Sequence, residues 1–211
     1  MTRAQTDIEA TRERLVEIAT TLLEERGTPA LTMQELAIRA GMSPATVYRY
    51  FEDKDALMEA LAEYWFRPKV AAMEEVVASE LPARRKMYEF FARRFTMMRK
   101  HYQADPVAFQ SYIDIGNEHF EQVRSYVDLA DHYLGMIIGE AMGEGHFNGL
   151  GVDETISLVN QMVAPYCAIN TMAMFMERLT EEKLARIIDA VFDGLSAADR
   201  GAKGVTDLRA A

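Results

Sequence analysis

Cysteine, tryptophan, histidine and proline are scarce in this chain of 211 residues. It contains one Cys, one Trp, four His and six Pro. Because Cys167 is the sole cysteine, a disulfide within the chain is impossible and a cysteine-based zinc cluster is excluded. The four histidines (His101, His119, His132 and His146) do not pair at the spacing of helical metal ligands. The sequence therefore predicts no metal, no cofactor and no enzymatic activity.

Long apolar runs and strand-like alternation are also missing. No run approaches the ~18 residues that a membrane-spanning helix needs, and the N-terminus has no signal-peptide pattern. No segment alternates apolar and polar residues as a half-buried strand does. Since 49% of the residues are hydrophobic, a sizeable core can still form. The sequence predicts an all-α protein located in the cytoplasm, with no membrane partner.

Positively charged residues are few. The chain has 23 Lys and Arg against 33 Asp and Glu, which gives a net charge of −10. The imbalance is uneven along the chain. Residues 26–54 carry four cations and three anions, whereas residues 67–211 carry 16 cations and 21 anions. The segment 26–54 can therefore approach DNA. Few phosphates would be neutralised, so modest non-specific affinity is expected.

Capping residues, glycines and prolines predict where the helices begin and end. The predicted N-caps are Thr6, Thr32, Ser43, Asp53, Asp105, Asp153 and Thr180. Helix ends are expected at Gly27 and Gly41, a break or kink at Arg67-Pro68, and another at Leu81-Pro82. One helix is expected to run from Asp153 to about Arg178.

Residues 32–51 have the pattern of a helix-turn-helix: a short helix, a turn at a glycine and a second short helix. Val47 and Phe51 share one face of the second helix and are expected to be buried against Leu36 and Leu22. The opposite face suits a DNA groove, because it offers small, hydroxyl, aromatic and guanidinium groups. The outward-facing residues are Ala45, Thr46, Tyr48 and Arg49.

The stretch LTMQELAIRAGMSPATVYRYFEDKDALMEAL (31–61) resembles the DNA-binding domain of the TetR (tetracycline-repressor) family of bacterial transcription regulators. The resemblance extends over residues 8–68. It implies an all-α dimer with an N-terminal DNA-binding domain at 8–68, containing the helix-turn-helix at 32–51. A C-terminal regulatory, ligand-binding and dimerisation domain would occupy 83–195. The DNA-facing residues it implies are Thr32, Ser43, Pro44, Ala45, Thr46, Tyr48, Arg49, Tyr50 and Lys54.

The segment 83–195 is rich in methionine and aromatic residues. These side chains suit an ordinary helical core, and equally an apolar pocket with a few polar groups that orient a ligand. Both interpretations stay open at the level of sequence. The candidate ligand-binding residues are Phe95, Met98, Phe109, Tyr112, Tyr133, Met136, Met162, Tyr166, Asn170 and Met174.

Two apolar stripes near the C-terminus suggest a dimer surface. By resemblance to the family they would pair with their copies as a four-helix bundle, and the alternative is burial within the chain. The stripe residues are Ile156, Val159, Val163, Ile169, Ala173, Leu184, Ile187, Ile188, Val191, Phe192 and Leu195. Nearby, Gly135, Gly139 and Gly143 lie on one stripe of a helix. Each glycine inside a helix lowers its stability by ~1 kcal/mol relative to Ala. This stripe predicts a closely packed helix, a ligand or a hinge.

The sequence thus predicts a ligand-responsive DNA-binding regulator, most simply a repressor. It would bind a near-palindromic operator in double-stranded DNA as a homodimer, and a small hydrophobic or aromatic effector would release it. The weak local basicity supports a second hypothesis, a helical interaction protein that does not bind DNA. A helical enzyme is a third and less supported hypothesis.

Overall fold

A computed structural model describes residues 3–26 and 31–198, and all regular structure in these residues is helical. The all-α prediction is confirmed. The helices are α1 (Arg3–Arg26), α2 (Met33–Ala40), α3 (Pro44–Val47), α4 (Lys54–Ala78), α5 (Ala83–Ala104), α6 (Pro106–Glu118), α7 (Phe120–Gly143), α8 (Val152–Met162), α9 (Ala164–Cys167), α10 (Ile169–Phe175), a 3₁₀ helix (Met176–Arg178) and α11 (Glu181–Leu195). The helix end predicted at Gly27 lies outside the described residues. None of the described helices is long and apolar enough to cross a membrane.

Five of the seven predicted N-caps are confirmed by hydrogen bonds that the cap side chains accept from backbone N–H groups at 2.8–3.2 Å. These N–H groups would otherwise lack partners within the helix. The five caps are Thr32, Ser43, Asp53, Asp105 and Thr180.

The N-caps predicted at Thr6 and Asp153 are wrong. Helix α1 is already formed at Arg3, so Thr6 lies within it. Helix α8 begins one residue before Asp153, and its N-cap is Gly151, which contributes no side-chain hydrogen bond. Asp153 instead lies in the first turn of α8, where its negative charge is favourable beside the positive end of the helix dipole.

Helix α4 continues through Pro68 to Ala78, so a break at Arg67-Pro68 is wrong, and a kink there stays a prediction. A proline inside a helix costs about 3 kcal/mol. Side chains on both sides of it are fully buried, including Leu61 and Val76, so packing along α4 offsets the local cost. Tertiary contacts therefore override the proline signal at this position.

A different proline interrupts the helix expected from Asp153 to Arg178. Pro165 cannot donate a backbone hydrogen bond, and its ring conflicts with the carbonyl four residues earlier. Helix α8 accordingly ends at Met162, and Pro165 lies in the first turn of α9. The expected single helix is in fact four short segments. The break at Leu81-Pro82 occurs as predicted, between α4 and α5.

The described residues form two compact units. The first comprises residues 1–68 and 100–127 where described, and the second 69–99 and 128–198. The core of the first unit is built from α1, α2, α3 and α4, and Ile115 of α6 is part of it. Residues 100–127 thus pack in the same compact unit as the helix-turn-helix, and they also lie within the segment 83–195 that the sequence predicts as the regulatory domain.

An ion pair in the second unit joins a buried lysine to a partly exposed glutamate and holds the ends of two helices. The ammonium of Lys86, a residue 5% exposed, donates to the Val77 carbonyl at 2.8 Å and lies 2.7 Å from a Glu140 carboxylate oxygen. Glu144 accepts a hydrogen bond from the Ala83 N–H at 3.0 Å. The end of α4 and the start of α5 are thus both tied to α7.

Candidate nucleic-acid interface

Helix α2 begins with a reciprocal capping box. The Thr32 hydroxyl accepts from the Glu35 N–H at 3.2 Å, and the Glu35 carboxylate accepts from the Thr32 N–H at 3.1 Å. The Thr32 hydroxyl also donates to that carboxylate at 2.8 Å. The groups of Thr32 that could contact a phosphate are therefore used by Glu35, and a DNA phosphate at Thr32 would have to displace this carboxylate.

The turn between α2 and α3 depends on Gly41. Its φ of 68° lies in the left-handed region, where glycine has no steric penalty. In this conformation the Gly41 N–H reaches the Ile38 carbonyl at 3.2 Å, and the next N–H, of Met42, reaches the Ala37 carbonyl at 2.9 Å. These hydrogen bonds end α2 and set the direction in which α3 begins.

Replacing Gly41 by Ala is expected to destabilise the first unit by about 1–2 kcal/mol, the cost of a left-handed non-glycine residue. An added Cβ would meet no atom within 4 Å, so the expected loss comes from the backbone conformation alone. The midpoint of urea unfolding measures it. Gly116→Ala in helix α6 is the matched control, since its Cβ also meets nothing within 4 Å. This control should raise the midpoint, and equal effects of the two changes would contradict the prediction.

One side of α3 and of the turn after it is anchored in the core. Val47 and Phe51 are fully buried in one hydrophobic cluster with Leu36 and Leu22, as predicted. Helix α3 itself ends at Val47, four residues earlier than expected. The chain nevertheless keeps helix-like hydrogen bonds to Phe51, whose N–H reaches the Val47 carbonyl at 3.1 Å. These contacts determine that the opposite side of segment 43–51 faces outward.

The other side of this segment is accessible. Tyr48 is 50% exposed, and Arg49 is exposed beside it. Thr46 and Tyr50 are partly buried, and the Thr46 hydroxyl lies 2.8 Å from the Ser43 hydroxyl. None of the nine residues predicted to face DNA is fully buried. The seven that are exposed are Thr32, Ser43, Pro44, Ala45, Tyr48, Arg49 and Lys54.

One exposed apolar residue of the helix-turn-helix is missing from the predicted set. Ile38 is 72% exposed on α2, although isoleucine is usually buried. The neighbouring residues Leu36 and Ala37 are fully buried. The helical period of the buried residues Met33, Leu36 and Ala37 could have predicted that Ile38 lies on the outer face of α2.

The cations of this region differ in whether a carboxylate neutralises them. Arg39 pairs with Glu25 at 2.5 Å, and Arg67 pairs with Glu13 at 3.0 Å. Arg49 and Lys54 form no ion pair within the part of the chain that the structure describes. These two side chains are therefore exposed cations that no carboxylate of the described chain neutralises.

Two family models match the chain. The model described as "Bacterial regulatory proteins, tetR family" matches residues 15–61, and "Tetracyclin repressor-like, C-terminal domain" matches residues 83–188. The second match alone spans half of the chain. The chain belongs to the TetR family. The members of this family are bacterial regulatory proteins, and residues 15–61 contain the helix-turn-helix segment whose geometry is described above.

Named relatives agree with this TetR-family membership. An uncharacterised regulator encoded in the dhlA 5′ region of Xanthobacter autotrophicus is 38% identical over 66 residues, 31% of this chain and 33% of that protein. The repressor KstR2 of Rhodococcus jostii is 32% identical over 73 residues, 35% of this chain and 36% of that protein. The chain thus aligns with about a third of the length of each relative.

A solved structure extends the likeness of the fold. The regulator FadR of Bacillus subtilis, crystallised with stearoyl-CoA, superposes with a TM-score of 0.65 and 16% identity. The superposition covers 86% of this chain and 98% of FadR. At this identity the likeness concerns the helical TetR fold alone.

The ten candidate ligand-binding residues of this TetR-family chain do not form one group. Phe109 and Tyr112 lie in the first unit, and the other eight lie in the second. Met136, Met162 and Met174 are 41–78% exposed, which does not fit side chains that line an enclosed apolar pocket. Their role in ligand binding stays a prediction.

Some of the remaining candidates do lie in the core of the second unit. The rings of Phe95 and Tyr166 meet edge to face at 5.1 Å, and the Tyr166 hydroxyl donates to the Thr180 carbonyl at 3.1 Å. The Tyr133 hydroxyl donates to Glu74 at 2.8 Å, and Asn170 is exposed. Met98 is buried. These contacts fit structural roles at least as well as ligand binding.

Most of the predicted dimer surface is buried within the chain. A side chain exposed by 4% or less already has its contacts and cannot contribute a surface to a second copy. The seven residues in this state are Val159, Val163, Leu184, Ile188, Val191, Phe192 and Leu195. They correspond to the alternative of intramolecular burial. The four partly exposed residues are Ile156, Ile169, Ala173 and Ile187.

The glycine stripe of α7 has a close neighbour at one position. A Cβ at Gly135 would lie 3.4 Å from Ile156 and 3.7 Å from Val152, both on α8. At Gly139 and Gly143 an added Cβ would meet nothing within 4 Å. Close helix packing therefore explains Gly135, and the other two glycines are unexplained by contacts within the described chain.

The described residues hold no group of three or more His, Cys, Asp or Glu placed to bind a metal ion. Burial raises the pKa of the Cys167 thiol, so the thiolate that a nucleophile needs is disfavoured. The TetR-family relatives named above are regulators of transcription.

Proposed function

We propose that this protein is a ligand-responsive repressor that binds a near-palindromic operator as a homodimer. A small, hydrophobic or aromatic effector would release it from DNA. The observation that carries the DNA-binding part is the two-sided segment 43–51. Its inner side is anchored by Val47 and Phe51, and its outer side presents Tyr48 and Arg49.

In this proposal α3 enters the major groove. Ala45 permits close approach, and Thr46 offers a methyl and a hydroxyl to base edges. Arg49 pairs with a guanine or a phosphate, and Tyr48 donates to a phosphate. Lys54, at the start of α4, adds a phosphate contact. Ser43, Pro44, Tyr50 and Thr32 shape the surface around them.

The proposed domains are a DNA-binding domain at 8–68 and a regulatory domain at 83–195. Homodimerisation would use the partly exposed residues Ile156, Ile169, Ala173 and Ile187. Effector binding and DNA binding would be reciprocally coupled, so the effector weakens DNA binding by the factor by which DNA weakens effector binding. This function requires a cytoplasmic location.

Selection of bound duplexes from a random pool of double-stranded DNA, at physiological salt, tests the proposal. We expect enrichment of a near-palindrome whose half-sites lie about one helical turn apart, because a twofold dimer places its recognition helices in successive major grooves. Enrichment of a single half-site would contradict the dimer. A folded protein that enriches no sequence would favour the interaction protein that does not bind DNA.

A further inference from the structure

A cavity of about 600 Å³ lies beside α7 and α8 in the second unit. Cavities of about 300–1,000 Å³ are the usual size of sites that hold small molecules. All the residues that line it belong to α7, α8 and α9. None of the ten residues that the sequence predicts as ligand-binding is among them. The structure therefore offers a candidate ligand site that the sequence did not indicate.

Two contacts join α7 and α8 at this cavity. The Asn160 amide of α8 donates to the Asp131 carboxylate of α7 at 2.9 Å. One turn further along α7 and one turn back along α8, a Cβ at Gly135 would lie 3.4 Å from the Ile156 side chain. The two helices therefore run antiparallel here, and the absence of a side chain at Gly135 allows their close approach.

The cavity has an inner part and an open mouth, because its lining residues differ in exposure. The partly buried residues of the inner part are Asp131, Ile156, Asn160 and Ala164, and the exposed residues of the mouth are Asp153, Ser157 and Gln161. The inner part thus places the apolar side chains of Ile156 and Ala164 in the same lining as the carboxylate of Asp131. A ligand with a polar end and an apolar body fits such a lining.

The charge of the lining is negative. It contains the carboxylates of Asp131 and Asp153 and no Lys, Arg or His. Neither carboxylate forms an ion pair with another of the residues that the structure describes. A carboxylate that is partly removed from water is stabilised by a cationic partner, with which it forms charge-assisted hydrogen bonds.

The uncharged polar groups of the lining already use part of their donor capacity within it. The Asn160 amide donates to Asp131, and the Gln161 amide donates to the Ser157 hydroxyl at 3.1 Å. The oxygens of both amides, like those of the carboxylates, can only accept hydrogen bonds. A ligand that brings N–H donors and a positive charge therefore complements this lining, whereas an anion would be repelled.

We propose that this cavity binds a protonated amine on an apolar body, with Asp131 and Asp153 as the partners of the ammonium group. Ile156 and Ala164 contact the apolar body. The inference rests on the proposed function, because it names the chemistry of the effector that the repressor senses. Ile156 is also one of the residues proposed for homodimerisation, so a ligand here acts on the association of the two copies that operator binding requires.

Calorimetric titration of the full-length protein at neutral pH with octylamine, octanol and octanoate tests the inference, since the three share a carbon skeleton and differ in the head group. We expect octylamine to bind about tenfold more tightly than octanol, the effect of one charge-assisted hydrogen bond. Octanoate should bind more weakly than octanol. Equal affinity for all three, tightest binding of octanoate, or no binding of octylamine would overturn the inference.

Two variants of the same shape as the native residues locate the charge. Asp131→Asn and Asp153→Asn should each lower the ratio of amine to alcohol affinity, and the double variant should bring it close to one while octanol binding persists. Asp128→Asn and Glu154→Gln are the matched controls, because these exposed carboxylates of α7 and α8 lie outside the lining. Glu154 also shares the first turn of α8 with Asp153. An unchanged ratio in the double variant would contradict the proposed site.

Nuclear magnetic resonance of the unmodified chain, labelled at isoleucine and alanine methyl groups, locates the ligand without any variant. The methyl signals of Ile156 and Ala164 should shift when octylamine binds. The signal of Ile188, which is 1% exposed in the core and outside the lining, should stay in place. Shifts that leave Ile156 and Ala164 unaffected would place the amine elsewhere and refute the inference.

Operator affinity, measured with and without octylamine, separates this inference from the proposed function. Octylamine should weaken operator binding in the native chain more than in the double variant. If the operator is bound but octylamine does not bind, the inference fails and the regulator function stands. If octylamine binds as expected but no operator is found, the cavity is an amine site and the regulator function fails.

Discussion

Arg49→Ala is expected to weaken binding to the selected operator by about 1–3 kcal/mol, roughly fivefold to 150-fold, without changing the unfolding temperature. Arg49 is exposed and makes no ion pair within the described residues, so its removal costs the fold little. The loss falls on the complex, where a guanidinium is held by a guanine or a phosphate. Fluorescence anisotropy with a labelled operator measures the affinity, and thermal unfolding measures the stability.

The way in which operator affinity falls in Arg49→Ala distinguishes a guanine contact from a phosphate contact. A guanine contact predicts relaxed preference at one base pair, whereas a phosphate contact predicts uniform weakening and a shallower salt dependence. Arg186→Ala is the matched control, since Arg186 is an exposed arginine on α11 in the second unit. Undiminished operator affinity in Arg49→Ala would remove Arg49 from the interface.

Phe51→Ala is expected to reduce the free energy of unfolding by about 3–5 kcal/mol, the cost of deleting a large buried aromatic side chain. Phe51 is 1% exposed, and the Arg12 guanidinium of α1 lies 5.3 Å from the centre of its ring. Its loss leaves a cavity between α1 and the turn that follows α3, so the outer face is no longer held in place. Urea unfolding should show the destabilisation, and operator binding should be lost with it.

Tyr48→Ala is the comparison for Phe51→Ala, because both remove an aromatic ring from the same turn of chain. Tyr48 is half-exposed, so this change should alter stability by less than about 0.5 kcal/mol while operator binding weakens. A destabilisation of Tyr48→Ala as large as that of Phe51→Ala would show that the two sides of this segment are not distinct.

The helix-turn-helix was predictable because its determinants are local. The capping box of Thr32 and Glu35, the left-handed Gly41 and the Ser43 cap each depend on residues no more than four apart. Hydrogen bonds over such short separations depend on the order of neighbouring residues, so the sequence can predict them. The apolar period of Leu36, Val47 and Phe51 then determines which side is buried.

The rest of the chain was less predictable, and the errors have a common physical cause. Pro68 fails to break α4 because buried side chains on either side of it outweigh its local cost. The stripes of α8 and α11 are apolar whether they pack within the chain or against a second copy, so their period cannot tell a core from a dimer surface. Exposure in the folded chain assigns Val159 and Ile188 to the core.

By itself the sequence determined the helical class, the family and the two-sided segment 43–51, because caps, turns and helical periods are interactions between near neighbours in the chain. Only the tertiary structure decided which apolar stripes are core. It also decided that α4 continues through Pro68 and that Lys86 of α5 pairs with Glu140 of α7. Both features depend on how helices pack, which is set by contacts between residues distant in the chain.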